Sequence, residues 1–157
     1  MSFTEKLYNV APVFLQNAMV SLYGWQWHMR RFWGIFQDEL IGFRQRESFT
    51  GEQWKLYADA CLRKMLLHAY DTVPYYRTAW DTGGITKAQL SNITTENLSA
   101  LPILKKEALR KYGTTELLSA QTEKGGSFFS SSGSTGTPTS ILFSYSMHQR
   151  WSAAYEA

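Results

Sequence analysis

Near its C-terminus the chain carries the polar, glycine-rich sequence SSGSTGTP at residues 131–138, between two segments that favour an extended backbone. The segment before it, residues 127–130, contains two phenylalanines, and the segment after it, residues 139–144, is TSILFS. Aromatic and β-branched side chains of this kind favour β-strands. Two short strands joined by a polar connection predict a hairpin, so the fold requires at least one small sheet.

The composition of this connection suits the binding of a polyphosphate. Gly133 and Gly136 allow close approach of the backbone and positive φ, so that successive N–H groups can point at one anion. Hydroxyl side chains add further donors at little steric cost; they belong to Ser131, Ser132, Ser134, Thr135 and Thr137. Neither the Walker spacing nor the dinucleotide G-x-G-x-x-G spacing is present. The alternative interpretation is a flexible serine- and glycine-rich turn, a common kind of loop.

Residues 1–47 are predicted to be helical. Pro12 is tolerated in the first turn of a helix, which we expect to run to about residue 23. A second helix is expected at about 26–45, although Gly34 and Gly42 weaken that prediction. We interpret the tryptophans here as packing residues; they are Trp25, Trp27 and Trp33.

The clearest helical pattern covers residues 51–71. Thr50 followed by Gln53 matches a capping box, and Pro74 disfavours helix at the residue before it. Apolar residues recur at steps of three and four and therefore share one face; they are Trp54, Tyr57, Ala58, Cys61, Leu62, Met65, Leu66 and Ala69. This spacing predicts Cys61 as a small core residue.

Shorter elements follow. Short helices are expected at about 75–80 and 105–112, with loop and short helix over 85–101. Ser146 is a suitable N-cap for a helix from Met147 onward. No helix-ending signal follows, so we expect the chain to be part of a longer protein. These patterns predict an α/β fold class, with a helical N-terminal subdomain at 1–120 and the start of an α/β core at 121–157.

Composition excludes several classes of protein. The net charge is +3 and no run of five Lys or Arg occurs, so a nucleic-acid-binding tail is not indicated. A single cysteine allows no internal disulfide, and a reducing compartment such as the cytoplasm fits. The three histidines lack partners at telling spacings, so no catalytic residue and no metal ligand is predicted. Residues 10–25 are too short to span a membrane; we favour a helix that docks on another part of the protein over one that lies on a membrane surface.

The sequence SSGSTGTP resembles the phosphate-binding signature of the adenylate-forming superfamily, Ser/Thr-Ser-Gly-Ser/Thr-Thr-Gly-x-Pro-Lys. The matching positions are Ser131, Ser132, Gly133, Ser134, Thr135, Gly136 and Pro138. The usual lysine is replaced by Thr139, as is common in the phenylacetate–CoA ligase branch, so a cation often found near the phosphates is missing.

Three other segments are similar to the same branch. They are LLHAYDTVPYYRTAW at 66–80, LPILKKEALRKY at 101–112 and APVFLQNAMVSLYG at 11–24. The last of these is most similar to the capsular-polysaccharide-associated members. The resemblance covers nearly the whole chain and is weakest at residues 25–50.

The resemblance implies a ligase that joins a carboxylic acid to AMP from Mg-ATP and typically transfers the acyl group to coenzyme A. It implies that Ser131, Ser132, Gly133, Ser134, Thr135, Gly136 and Thr137 bind the nucleotide phosphates. The family's adenine-pocket residues, magnesium-binding acid, ribose-binding aspartate and C-terminal-domain lysine lie later, so these 157 residues alone are expected not to complete adenylation. The alternative hypothesis is a truncated, non-catalytic helical module that binds a partner or a membrane surface.

Overall fold

The computed structural model describes residues 3–123, 125–130 and 138–157. In chain order its helices are α1 (Phe3–Val10), α2 (Val13–Phe32), α3 (Phe36–Arg46), α4 (Gly51–Thr72), α5 (Pro74–Thr82), α6 (Lys87–Ser91), α7 (Lys106–Tyr112) and α8 (Tyr145–Glu156). A 3₁₀ turn covers Leu98–Ala100, and the strands are β1 (Ser127–Ser130) and β2 (Ser140–Phe143). Among these helices none is long and apolar enough to cross a bilayer.

The structure is mostly helical with one small antiparallel sheet, which is consistent with the predicted α/β fragment. The chain divides into two compact units, one formed by Met1–Arg44 with Tyr145–Ala157 and the other by Gln45–Ser144. The predicted boundary between a helical subdomain at 1–120 and an α/β core at 121–157 is not tested by this division and stays a prediction.

In the first unit α2 is a single helix, so the prediction of two helices that meet after residue 23 is wrong. Gly24 lies inside α2 without ending it, because one glycine costs a helix only about 1 kcal/mol. The break comes at Gly34, whose φ of +58° is rarely adopted by other residues. A Cβ at this position would also lie 2.8 Å from Gln149 Oε1, so that side chain would have to shift.

Helix α8 packs on α2 through polar and aromatic contacts. Arg30 Nη2 donates to the Tyr145 hydroxyl at 2.9 Å, and its guanidinium lies 4.8 Å from the centre of that ring. Arg31 Nε donates to Ser152 Oγ at 3.1 Å. Helix α8 begins at Tyr145, two residues before the predicted start, so Ser146 lies in the first turn rather than at the cap.

The second unit is built around α4, whose start is confirmed. The Thr50 side chain accepts from Gln53 N at 3.3 Å, and Gln53 Oε1 accepts from Thr50 N at 2.8 Å. The helix ends at Thr72, and Pro74 occupies the first turn of α5. Helices α5 and α6 pack against α4 and enclose the core of this unit; its buried members are Leu62, Leu66, Trp80, Leu90 and Ile93.

The prediction that Cys61 is a core residue is wrong, because Cys61 is exposed. The buried residues of α4 include Asp59, Leu62 and Leu66, which recur at steps of three and four along one face. The predicted apolar face is wider than the face that α5 and α6 cover. Cys61 and Met65 lie on its uncovered half.

Asp59 is buried in this packed face and is satisfied by one partner residue. Its Oδ1 accepts from Thr95 N at 2.7 Å and from Thr95 Oγ1 at 2.8 Å. The backbone hydrogen bond, then the side-chain hydrogen bond, lower the pKa of Asp59. The carboxylate thereby fixes the segment after α6 against α4.

Candidate functional site

The antiparallel hairpin brings together the two ends of the glycine-rich loop. Its register pairs Ser127 with Phe143 at one end and Ser130 with Ser140 at the other. The side-chain oxygens of Ser130 and Ser140 lie 3.4 Å apart. The loop therefore leaves β1 and enters β2 at one residue pair, which is the geometry of a closed loop at a sheet end.

The predicted phosphate-binding residues lie outside the residues that the structure describes. These are Ser131, Ser132, Gly133, Ser134, Thr135, Gly136 and Thr137. Their role stays a prediction, and the structure describes only the framework on either side of them.

Thr139, which follows the loop, is only 6% exposed. This is the position at which the resembled signature usually has lysine. Burial of an ammonium group without a paired charge is costly, whereas a threonine hydroxyl needs only one partner. The burial therefore gives a physical reason for the departure from the signature at this position.

Two glycines next to the hairpin, Gly113 and Gly126, leave no room for a side chain. A Cβ at Gly113, directly after α7, would lie 2.4 Å from the Leu109 carbonyl oxygen and 3.5 Å from the Ser140 carbonyl oxygen. A Cβ at Gly126, directly before β1, would lie 2.8 Å from the Phe143 carbonyl oxygen. Glycine at position 126 lets the backbone approach β2 closely, whereas glycine at position 113 is required by the carbonyl oxygen of Leu109 at the end of α7.

A cleft of about 400 Å³ runs beside β2. Its lining combines residues of α4, the end of α7, the segment after α7 and β2 itself: His68, Leu109, Gly113, Leu117, Leu118, Ser119, Gln121, Thr122, Glu123, Ser140, Ile141, Leu142 and Ser144. Its volume lies within the range of small-molecule sites. Ser140 belongs both to this cleft and to the end of the loop.

A network of side chains joins α4 to the wall of this cleft. His68 Nε2 lies 3.2 Å from Thr72 Oγ1 and 3.3 Å from Ser119 Oγ, and Ser119 Oγ donates to Thr72 Oγ1 at 2.9 Å. Ala120 N also donates to Thr72 O at 2.7 Å. These contacts hold residues 119–120 against α4. Sequence analysis did not predict this network, because residues 68 and 119 are 51 positions apart and share no local pattern.

A second cavity of about 510 Å³ lies in the same unit and is largely apolar. It is lined by Met65, Leu66, Ala69, Tyr76, Trp80, Leu98, Ser99, Leu101, Pro102, Ile103 and Leu104. Burial, followed by the neighbouring Tyr75, raises the pKa of Tyr76, so its phenol is neutral at physiological pH. The residues 101–104 that line it begin one of the segments used for the family resemblance.

Within the described ranges, no group of three or more His, Cys, Asp or Glu side chains is close enough to hold a metal ion. The charged pairs lie elsewhere in the fold, as in Arg150 with Glu39 and Lys87 with Asp71. The described lining of the cleft carries one imidazole, His68, and one carboxylate, Glu123, which do not form such a group.

Two curated proteins are similar to this chain. The phenylacetate-coenzyme A ligase of Thermus thermophilus is 27% identical over 107 residues, which cover 68% of this chain and 22% of the relative. The phenylacetate-coenzyme A ligase of Aromatoleum evansii is 30% identical over 90 residues, which cover 57% of this chain and 20% of the relative. The chain thus spans about a fifth of the length of the curated relatives it matches.

No family model matches the chain. No solved structure matches it either. The two partial similarities support a relationship with the adenylate-forming ligase family at the level of that family as a whole.

Proposed function

We propose that the chain is the N-terminal part of an ATP-dependent adenylating ligase, whose loop 131–137 binds the phosphates of Mg-ATP. The observation that carries the proposal is the register of the hairpin, in which Ser130 opposite Ser140 closes a loop with the adenylate-forming signature. The partial similarity to two phenylacetate-coenzyme A ligases supports it independently.

In the proposed reaction a carboxylate oxygen of the substrate attacks the α-phosphorus of ATP. The new bond joins that oxygen to phosphorus, and the bond from phosphorus to the bridging oxygen of pyrophosphate breaks. The products are acyl-AMP and pyrophosphate. The acyl group then passes to the thiol of coenzyme A, which displaces AMP.

The contribution of this chain to the reaction is electrostatic. Amide N–H groups at Gly133 and Gly136, with the hydroxyls of Ser131, Ser132, Ser134, Thr135 and Thr137, would hold the β- and γ-phosphates. Donors that are fixed before the reaction stabilise developing negative charge without reorganising. They also orient the α-phosphorus toward the attacking carboxylate. A closed hairpin loop, anchored on both sides, suits this role.

The proposal includes a cellular setting. Residues 11–24 resemble capsular-polysaccharide-associated relatives, so we assign the reaction to capsular or exopolysaccharide biosynthesis. We place it in the cytoplasm, where ATP and coenzyme A are available. Inactivation of the gene should then reduce surface polysaccharide, and an unchanged polysaccharide layer would remove this part of the proposal only.

The direct test is a thermal shift of the complete protein with Mg-ATP, joined to pyrophosphate release with a panel of carboxylic acids. A ligand that binds only the folded state stabilises it by about 2.7 kcal/mol at one hundred times its dissociation constant. Ser132→Ala with Ser134→Ala should abolish most of that shift and raise KM for ATP by at least about tenfold.

Ser127→Ala is the matched control, because Ser127 lies at the opposite end of the same hairpin. It should leave the shift and the KM unchanged. If the double variant shows the same Mg-ATP shift as the wild type, the loop does not bind the nucleotide and the proposal fails.

A further inference from the structure

The cleft beside β2 holds an imidazole next to a serine hydroxyl. His68 Nε2 lies 3.3 Å from Ser119 Oγ and 3.2 Å from Thr72 Oγ1. The same two kinds of side chain serve as base and nucleophile in some enzymes, where the imidazole accepts the proton of the hydroxyl. The position of the proton between His68 and Ser119 therefore decides what this group of residues can do.

The hydroxyl protons can be assigned one at a time, because each hydroxyl has a single proton to donate. A carbonyl oxygen has none, so the contact of 2.7 Å between Thr72 Oγ1 and His68 O takes the proton of Thr72. The contact of 2.9 Å between Ser119 Oγ and Thr72 Oγ1 then takes the proton of Ser119. Neither hydroxyl has a proton left for His68, so Nε2 carries the N–H and donates it.

Both hydroxyl oxygens are thereby fully used. Thr72 Oγ1 accepts from Ser119 and from His68, and Ser119 Oγ accepts from His68 and from Gln121 N at 3.1 Å. A hydroxyl oxygen has two lone pairs, so neither residue has one free for a substrate. Since Nε2 is a donor, His68 cannot act as a base toward Ser119. We call these three residues, His68, Thr72 and Ser119, the His68 network; its chemistry is that of a fixed support.

The His68 network holds the segment that leads into β1. Ala120 N donates to Thr72 O at 2.7 Å, so the backbone and the side chain of Thr72 both bind this segment. Thr122 N donates to Ser119 O at 3.0 Å, which closes a turn, and residues 123–126 then join this turn to β1. Thr72 is only 7% exposed, so water competes little for its hydrogen bonds. A displacement of Ser119 would therefore be passed to β1 through a short connection.

The end of the same segment also contacts β2. A Cβ at Gly126 would lie 2.8 Å from the Phe143 carbonyl oxygen, so the backbone at this position lies directly against the strand. The segment is thus bound to α4 at its start and to the hairpin at its end. Through it, α4 and the two strands form one connected support.

We propose that the His68 network positions the hairpin relative to α4 and thereby aligns the loop 131–137 with its nucleotide, with His68 fixed as the Nε2–H tautomer. His68, Thr72 and Ser119 are positioning residues, because they act through the strands rather than by contact with ATP. The effect on ATP rests on the proposed function, whereas the support of the hairpin does not. Alignment matters because donors stabilise the phosphates only when they are held in the required geometry.

The tautomer predicts opposite effects of two substitutions at one position. Glutamine can place a side-chain N–H near the position of Nε2, whereas asparagine is one methylene group shorter. In the complete protein, His68→Gln should keep KM for ATP within about twofold, and His68→Asn should raise it about threefold to tenfold, the value of one hydrogen bond. A loss of stability alone would reduce the amount of active protein and the apparent kcat without raising KM.

A second comparison uses one substitution at two serines. Ser119→Ala removes a member of the network and should raise KM for ATP about threefold to tenfold. Ser91→Ala removes a partly exposed hydroxyl of α6, which donates to Ala88 O at 2.7 Å, and it should leave KM unchanged. If His68→Asn unfolds the protein, as judged by circular dichroism, this pair makes the same comparison.

Two measurements test the support without ATP. In alkaline buffer, where imidazoles are neutral, nitrogen NMR should show the proton of His68 on Nε2 and none on Nδ1. Amide hydrogen exchange in β1 and β2 should be at least about threefold faster in His68→Asn and Ser119→Ala than in the wild type, because the support of the hairpin is weakened. His68→Gln and Ser91→Ala should keep the wild-type exchange rates.

A proton on Nδ1 would overturn the proposal, as would equal exchange in Ser119→Ala and Ser91→Ala. If the wild type binds Mg-ATP but neither His68→Asn nor Ser119→Ala raises KM, the network does not align the loop and this inference fails while the proposed function stands. If the wild type shows no Mg-ATP shift but the hairpin exchanges faster in both variants, the proposed function fails and the support of the hairpin stands.

Discussion

Ser130 and Ser140 face each other as the last pair of the hairpin, with their side-chain oxygens 3.4 Å apart. This pair fixes where the loop begins and where it ends. A loop whose two ends are fixed side by side loses less conformational freedom when it binds a ligand. The pairing is therefore the structural basis of the proposed anion site.

A disulfide at this pair should form readily. Directly opposed residues in antiparallel strands have Cα atoms about 4.5–5.5 Å apart, which lies within the range that disulfides span. In a Cys61→Ser background, Ser130→Cys with Ser140→Cys should oxidise and stabilise the protein by about 2–3 kcal/mol. Thiol titration and denaturant unfolding, with and without reductant, measure both effects. Two free thiols after oxidation would contradict the register.

Gly113 should tolerate no side chain. A Cβ there would meet the Leu109 carbonyl oxygen at 2.4 Å, and a backbone atom cannot move aside cheaply. We expect Gly113→Ala to destabilise the protein by about 1–3 kcal/mol in urea unfolding. Gly51→Ala is the control, because a Cβ at Gly51 has nothing within 4 Å and alanine favours helix. Equal stability of the two variants would show that Gly113 does not lie this close to the Leu109 carbonyl oxygen.

Local signals in the sequence predicted the two ends of α4. Thr50 and Gln53 determine the start of α4 through contacts that span only three residues, and Pro74 limits its end through its own ring. The hairpin was also predictable, since strand composition and turn composition alternate there. Such signals are encoded by neighbours along the chain and need no knowledge of the rest of the fold.

Burial and long-range contacts could not be predicted in this way. Cys61 and Leu62 are adjacent and both apolar, yet only Leu62 faces α5 and α6. Trp25 and Trp33 were expected to pack, but both are exposed. Trp25 lies on a face of α2 that α8 does not cover. The choice of face depends on which helix packs against it, and for α2 that helix lies more than a hundred residues along the chain. The loop 131–137 was assigned by its motif alone, and its role awaits experiment.

The stability of the second unit should fall in acid because of Asp59. The Thr95 hydrogen bonds lower the pKa of this carboxyl in the folded state below its value of about 3.9 in the unfolded chain. Its contribution is therefore complete above about pH 4 and is lost as the pH falls toward the folded pKa. Urea unfolding across this range should show a decline in stability that Asp59→Asn makes shallower.

Glu47→Gln is the control for Asp59, because Glu47 is an exposed carboxylate near the start of the same unit. It should retain the wild-type decline. If Asp59→Asn also retains it, the bond to Thr95 is not maintained in solution.

His148 should give the first unit a separate sensitivity at milder pH. Burial, followed by the charges of Arg30 and Arg31, lowers the pKa of this imidazole in the folded state. As the pH falls below about 6.5, the unfolded chain binds a proton that the folded chain resists. The contribution of His148 to the free energy of unfolding is therefore complete above about pH 6.5 and declines as the pH falls toward its folded pKa. His148→Gln should flatten the decline in urea unfolding, whereas His28→Gln, on an exposed position of α2, should retain it. A wild-type slope in both variants would mean that His148 is not held beside the two arginines.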